Sequence, residues 1–197
     1  MVATNLARTR GRPRKFDPER GLEVAQALFH KRGYDAVGIA ELTQALGINP
    51  PSFYAAYGSK AGLYGRILDR YAATAAIPLA TILSADRPMW AALAAVLEQA
   101  ARSYAADSNA TGCLVLEGTR SNDADARDAA YRFHGAAQAV IHQYIAERRP
   151  KDADRLADYV VTTMAGLSAS ARHGQSLERL LSSARLASEA LKQALPE

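Results

Sequence analysis

The side chains of this chain best suited to chemistry are cations and amides, and they gather near its start. Arg8, Arg10, Arg12, Arg14 and Lys15 stand within the first fifteen positions, interleaved with Gly11 and Pro13 and without one acidic residue. Such a stretch has too little apolar surface to fold by itself. Its charge suits a polyanion, because each lysine or arginine that meets a phosphate releases a condensed counterion and an arginine on a flexible arm can enter a narrow minor groove. A solvated tail is the plain alternative, and the two agree if the arm orders only on its target. Further on, Asn49, Ser52 and Tyr54 bring hydrogen-bonding side chains to one helix start, beside Pro50 and Pro51, and Ser59 and Lys60 open another. A lysine in a first helical turn is unfavourable against the helix dipole but favourable for a phosphate bound there.

Two short helices around a glycine must position these groups, in the stretch IAELTQALGINPPSFYAAYGSK from Ile39 to Lys60. Ile39, Leu42, Ala45 and Leu46 share a face, and Gly47 follows where a helix end needs positive φ, so the first helix stops at Leu46. Ile48 turns the chain inward, Asn49 is a good N-cap, and Pro50 and Pro51 occupy a first turn whose amide hydrogens have no helical partner. Ser52 to Tyr57 continue the second helix. Two helices about a short glycine turn make either an αα-corner of a bundle or a helix-turn-helix, whose second helix lies in the major groove. Upstream, Asp17 caps a helix with Pro18 in its first position, Leu22, Ala25, Leu28 and Phe29 form its buried stripe, and Gly33 ends it before Tyr34 closes onto the core. His30 falls outside that stripe and is expected at the surface.

Residues 12–64, RPRKFDPERGLEVAQALFHKRGYDAVGIAELTQALGINPPSFYAAYGSKAGLY, resemble the DNA-binding domain of the TetR/AcrR family of bacterial one-component regulators. The likeness lies in the first helix ending in Phe29 and Gly33-Tyr34, the Gly47 turn, Ser52-Phe53-Tyr54, Tyr57 as an aromatic plug, and Ser59-Lys60-Leu63. It implies that Tyr54 and Lys60 touch phosphates while Asn49, Pro50, Pro51, Ser52 and Ala55 face the bases. Gly38, Thr43 and the arm residues Arg10, Arg12 and Arg14 complete the expected DNA surface. Two departures matter. Gly38 stands where the family commonly has a hydroxyl residue that caps the helix and binds phosphate, so only its backbone amide can serve. Ala55 and Ala56 replace frequent polar or basic residues, which shifts specificity toward thymine methyl contacts, DNA shape and the arginine arm.

Length and charge agree with this reading. The 197 residues allow one or two domains with a real core. The net charge of +4 conceals a basic head: residues 1–70 hold eleven basic and six acidic groups, and residues 71–197 hold thirteen and fourteen. No apolar run is long enough to span a membrane and no signal peptide is legible, so a cytoplasmic protein is expected, without membrane contact. The one cysteine, Cys113, excludes an intrachain disulfide and agrees with a reducing compartment.

The expected fold is all-α: a basic arm over 1–15, a three-helix helix-turn-helix domain over 16–60, and a helical effector-binding and dimerisation domain over 61–197. Helix 4 should run from Lys60 toward Ile82, kinked or ended by Pro78, with Asp86 capping the next helix, which holds Trp90, Leu93, Val96 and Leu97. LVLEG at 114–118 has mild β propensity but falls where a short helix is expected, and a long helix follows from Ala124 to Arg148. In the last two helices, Leu156, Val160, Met164, Leu167, Leu177, Leu180, Leu181, Ala184 and Leu191 recur at spacings of three and four. They serve an intrachain core or a twofold interface, and a reader of two half-sites favours the second.

Trp90, Tyr104, Cys113, Leu116, Tyr131, Phe133 and His134 are candidates to line an effector pocket, with ordinary core packing as the alternative. Glu117 and Arg120 are either a polar ligand anchor or a surface ion pair. Cys113, His134, His142 and His173 lack the spacing of a dedicated metal site, so no metal or cofactor is expected. Cys113, between Gly112 and Leu114, reads as inert core rather than a reactive thiol. With no Ser/His/Asp set and no phosphate loop, an enzyme is not indicated. The residues and the resemblance together imply a repressor that binds a palindromic double-stranded operator as a homodimer and is released by a small-molecule effector. The alternative is an architectural DNA-binding protein without an effector.

Overall fold

The computed structural model describes residues 16–84 and 86–195, and the regular structure in them is entirely helical. The head consists of α1 (Pro18–Arg32), α2 (Ile39–Leu46), α3 (Pro50–Tyr57) and the start of α4 (Lys60–Thr74). Arg10, Arg12 and Arg14 lie outside the described residues. Local chemistry sets each head helix. The Asp17 carboxylate accepts from the Glu19 amide at 3.0 Å, Asn49 from the Ser52 amide at 2.9 Å, and Ser59 from the Gly62 amide at 2.9 Å. Each bond satisfies one of the amide donors that a helix start leaves unpaired. Gly47, at φ 65°, closes α2 in the left-handed conformation.

Aromatic rings fill the space between these helices. Phe29 stacks on Tyr34 with centroids 5.4 Å apart and meets the edge of Tyr64 at 5.3 Å. Such pairs add about 0.5–1.5 kcal/mol each beyond the area they bury. Tyr57 plugs the head from the other side: its ring is buried and its hydroxyl donates to the Pro18 carbonyl at 2.9 Å. That hydroxyl lies directly over Gly21, where a Cβ would collide with it.

The body follows as α5 (Leu79–Leu83), α6 (Met89–Tyr104), α7 (Leu114–Gly118), α8 (Ala124–Ala146), α9 (Ala153–Arg172) and α10 (Leu177–Ala194), with a single 3-10 turn at Pro150–Asp152. Helix α6 is central, with α10 lying along it and α9 packed between it and α8. The head core continues without a break into Leu114, Ala126, Ala129 and Ala130 of the body. No described helix is long and apolar enough to cross a membrane.

Three sequence expectations change. Helix α4 stops at Thr74 rather than running toward Ile82: the amides of Ala75 and Ala76 both donate to the Tyr71 carbonyl, and Ile77, which precedes Pro78, is not helical. Asp86 does not cap the next helix, which begins at Met89 after an extended Pro88 and has no side-chain cap. The proposed interface stripe also turns inward. Leu156, Val160, Leu167, Leu180, Leu181, Ala184 and Leu191 are buried in the core of their own chain, Met164 is half-buried, and of the set Leu177 alone is exposed. An apolar stripe specifies burial but not which chain supplies the cover, and here α6 supplies it.

Gly21→Ala should destabilise the chain by about 1–3 kcal/mol, because the added methyl displaces the Tyr57 plug. Gly38→Ala meets open space at φ −91° and should stay within about 1–2 kcal/mol of the parent, reflecting capping alone. Urea melts of both variants check the contrast; equal losses would remove Tyr57 from its structural role.

Candidate nucleic-acid interface

Helix α3 offers its first turn and one flank to the outside. Asn49, Pro50, Pro51, Ser52 and Ala55 are exposed, Tyr54 is 49% exposed, and Phe53 and Tyr57 anchor the opposite flank in the core. Because the Asn49 carbonyl oxygen is engaged by the Ser52 amide, its NH₂ is the group left to donate outward. Gln44, exposed near the end of α2, adds a donor and acceptor beside the turn. Sequence reading passed over it because a glutamine in a helix carries no positional signature.

The phosphate candidates stand in different surroundings. The Lys60 ammonium sits 4.0 Å over the Tyr34 ring at the first turn of α4. Partial burial draws its pKa down, and the carboxylates of Asp35 and Asp123 oppose that. Gly38 precedes α2 with no side-chain cap, so its backbone alone faces outward. Thr43 is a correction: it is buried, and its hydroxyl donates at 2.9 Å to the Ala40 carbonyl of its own helix. Packing claims it, and its reach to DNA is lost.

A joint between head and body is the feature that sequence reading missed. The segment from Gly112 to Asp123 receives hydrogen bonds from three head side chains. The Tyr64 hydroxyl donates to the Leu114 carbonyl at 3.1 Å, the Tyr34 hydroxyl to Asp123 at 2.8 Å, and His30 Nε2 lies 3.1 Å from the Gly112 carbonyl. Asp35 accepts from the Ser121 hydroxyl at 2.8 Å and the Asn122 amide at 2.9 Å. His30, expected at the surface, is thus buried, and burial lowers its pKa so that the imidazole is neutral here. The Ala126 amide and then the Tyr34 hydroxyl hold Asp123 below the usual carboxylate range. Arg172 closes the joint: it donates to the carbonyls of His30 at 2.9 Å and Thr111 at 3.3 Å and pairs with Glu117 at 3.1 Å. Glu117 therefore pairs with a residue 55 positions along the chain and not with Arg120, which is why neighbouring sequence could not reveal it.

Directly behind this segment lies a cavity of about 280 Å³ between α4, α6, α7 and α8. Tyr104, Cys113, Leu116, Phe133 and His134 line it, together with Tyr71, Val140 and Met164. Trp90 does not: it packs against the body core, with the Lys192 ammonium 5.2 Å from its ring. Tyr131 is also outside, 52% exposed on the outer side of α8. The helical period decides this, since Phe133, Ala137 and Val140 share the face of α8 that lines the cavity and position 131 falls off it.

The sequence profile of the family described as bacterial regulatory proteins, tetR family, matches residues 22–67, the segment from α1 to α4. The HTH-type transcriptional repressor BdcR of Escherichia coli (strain K12) is 50% identical over all of this chain and all of its own length. The chain belongs to the TetR family of bacterial regulatory proteins. A second repressor of the same organism, ComR, is 30% identical over 89% of each chain. Among solved structures, a cysteine mutant of the TetR family regulator CifR, complexed with 26-base-pair double-strand operator DNA, superimposes with a TM-score of 0.81. It is 30% identical, with 91% of this chain and 99% of that one covered. The reduced form of NemR from E. coli, 19% identical at a TM-score of 0.70, shares the fold.

Lys60→Ala should weaken binding to all duplexes alike and flatten the salt dependence by about one unit of slope, since a phosphate contact carries no sequence information. Asn49→Asp should keep the cap yet lose affinity through its charge and its missing donor, whereas Asn49→Ala should also lose about 1 kcal/mol of stability. Fluorescence anisotropy across several salt concentrations separates the two effects; an unchanged slope for Lys60→Ala would take that lysine off the phosphate backbone.

Proposed function

We propose that this chain is a transcriptional repressor that grips a two-part operator as a homodimer and releases it when a small molecule fills the body cavity. The observation that carries the reading is the double use of one segment. Cys113, Val115 and Leu116 wall the cavity, while Gly112, Leu114, Ser121 and Asp123 of the same segment hold the head. A ligand that moves that wall moves the point on which the reading helix is mounted. An architectural DNA-binding protein would have no use for this arrangement. Repression, as the sign of regulation, is supported by the names of the BdcR and ComR relatives, and an operator partner by the DNA held in the CifR complex. The site of action is the cytoplasm, where that DNA lies.

For the dimer, support comes from the outward faces of the last two helices. From Tyr159 to Ala171 the sequence contains no charged residue, and Tyr159, Thr162 and Gly166 are exposed along α9. On α10, Ser182, Ser183, Leu186 and Ala190 continue the pattern, and Leu186 is 73% exposed. The uncharged stretch of α9 and exposed Leu186, with Arg185 and Glu189 beside it, suit close helix packing about a twofold axis, which would set two heads on half-sites about one DNA turn, or ~34 Å, apart.

The reading is tested by selecting duplexes from a random pool with the purified chain. A palindromic consensus bound about a thousandfold more tightly than random DNA is expected; binding without sequence preference would replace the repressor reading with the architectural one. Leu186→Glu should keep the helical content of the parent but sediment as a monomer and lose most full-operator affinity. A dimer that survives this change would place the interface elsewhere. Arg172→Ala should lower full-operator affinity by about 1–3 kcal/mol and leave affinity for a single half-site nearly unchanged, because the joint aims the head without shaping its reading surface. Equal losses on both duplexes would reduce Arg172 to a folding role.

A further inference from the structure

The polar inventory of the cavity narrows what it can hold. Among the residues that line it, none is Asp, Glu, Lys or Arg. The nearby Arg172 and Glu117 are paired to each other at 3.1 Å and are not among the lining residues. A carboxylate or ammonium seated against this lining would meet no opposite charge from it while losing part of its hydration. The volume, about 280 Å³, falls just under the ~300–1,000 Å³ of sites for drug-sized ligands, which points to a compound of one ring. Leu116, Phe133, Val140 and Met164 give such a ring apolar contact.

One end of the cavity is different. The Tyr71 hydroxyl lies 3.8 Å from the Cys113 sulfur, and Tyr104, which lines the same space, sits beside that thiol as well. Burial raises the pKa of all three groups, so each keeps its proton. The Tyr71 hydroxyl therefore donates to a sulfur that is a weak acceptor, and Tyr104 brings a second phenol to the same space. A carbonyl or ether oxygen brought to this end would accept a better hydrogen bond than the sulfur does.

We propose that the effector is an uncharged molecule of one-ring size carrying a hydrogen-bond acceptor, seated with its ring among Leu116, Phe133 and Met164 and its acceptor on the hydroxyls of Tyr71 and Tyr104. This rests on the effector reading given above and names the ligand class for that site.

Four probes of nearly one shape decide it: acetophenone, ethylbenzene, benzoate and benzylammonium, each measured by melting temperature and by calorimetry on the full chain. The assays are run at about pH 8.5, above the range in which an imidazole ordinarily carries charge. Acetophenone should raise the melting temperature and bind best, ethylbenzene about tenfold more weakly for want of one hydrogen bond, and the two ions not measurably. Tyr104→Phe should reduce the advantage of acetophenone over ethylbenzene while leaving ethylbenzene binding unchanged, and Tyr71→Phe serves if the first variant does not fold. Benzoate or benzylammonium binding as tightly as acetophenone would overturn the neutral class, equal binding of ethylbenzene would overturn the acceptor, and no binding by any probe would overturn the proposal whole. Operator binding measured in parallel without probes keeps the two readings apart: a chain that ranks the probes as expected but prefers no DNA sequence retains the ligand class and loses the repressor function.

Discussion

The position of the head rests on Tyr64. Its ring is buried among Phe29 and Tyr34 in the head, and its hydroxyl donates to the Leu114 carbonyl in the body. The approach is possible because Gly118 has no side chain: a Cβ there would collide with the Tyr64 hydroxyl and press on Ala130 at 2.8 Å. One side chain is thus shared by two structural units, and a single apolar cluster runs through both. Helix α4 is therefore part of each, and neither the reading helix nor the cavity wall can move without changing the packing around it. Close-packed interiors respond to such a demand by switching between arrangements rather than by stretching.

What was legible in the sequence follows from how local each signal is. Asp17, Asn49, Ser59 and Gly47 act within three residues of themselves, and each does so as read. The end of α4 was misjudged because Pro78 marks the latest point at which a helix can continue, whereas the actual end was set three residues earlier by Ala75 and Ala76 folding back on Tyr71. The joint was invisible for the opposite reason. Its partners are separated by 82 positions for His30 and Gly112 and by 142 for Arg172 and His30, and none of them has a spacing that distinguishes it from a surface residue. Periodicity picked out the apolar faces of α9 and α10 but said nothing of which chain covers them. Exposed Leu186, which lies off the stripe, was overlooked for that same reason.

The reading surface is poor in charge, and that limits how it can discriminate. Between Gln44 and Gly58 there is no lysine or arginine, so the bidentate contact to guanine that commonly supplies specificity is not available from this helix. Asn49, Ser52 and Gln44 can each contribute a hydrogen bond, and Ala55, Pro50 and Pro51 can lie against thymine methyl groups. Each such contact is modest, so preference must accumulate over both half-sites and over DNA shape. The proposed pairing of two identical heads at fixed spacing fits that chemistry, because a weak reader gains selectivity by being used twice.

That same modesty bears on whether a small cavity could control the whole, as the proposed function requires. A ligand shifts a conformational equilibrium only by the difference in its affinity for the two states. Filling an apolar space of about 280 Å³ and making one hydrogen bond yields a difference of a few kcal/mol at most. Against a head held by a base-reading contact worth tens of kcal/mol this would do nothing. Against the two heads of the proposed dimer, whose joint affinity would depend on their spacing, it would be enough, since each protomer would contribute its own cavity and a shift of the Gly112 to Asp123 segment in either one would spoil the match to both half-sites.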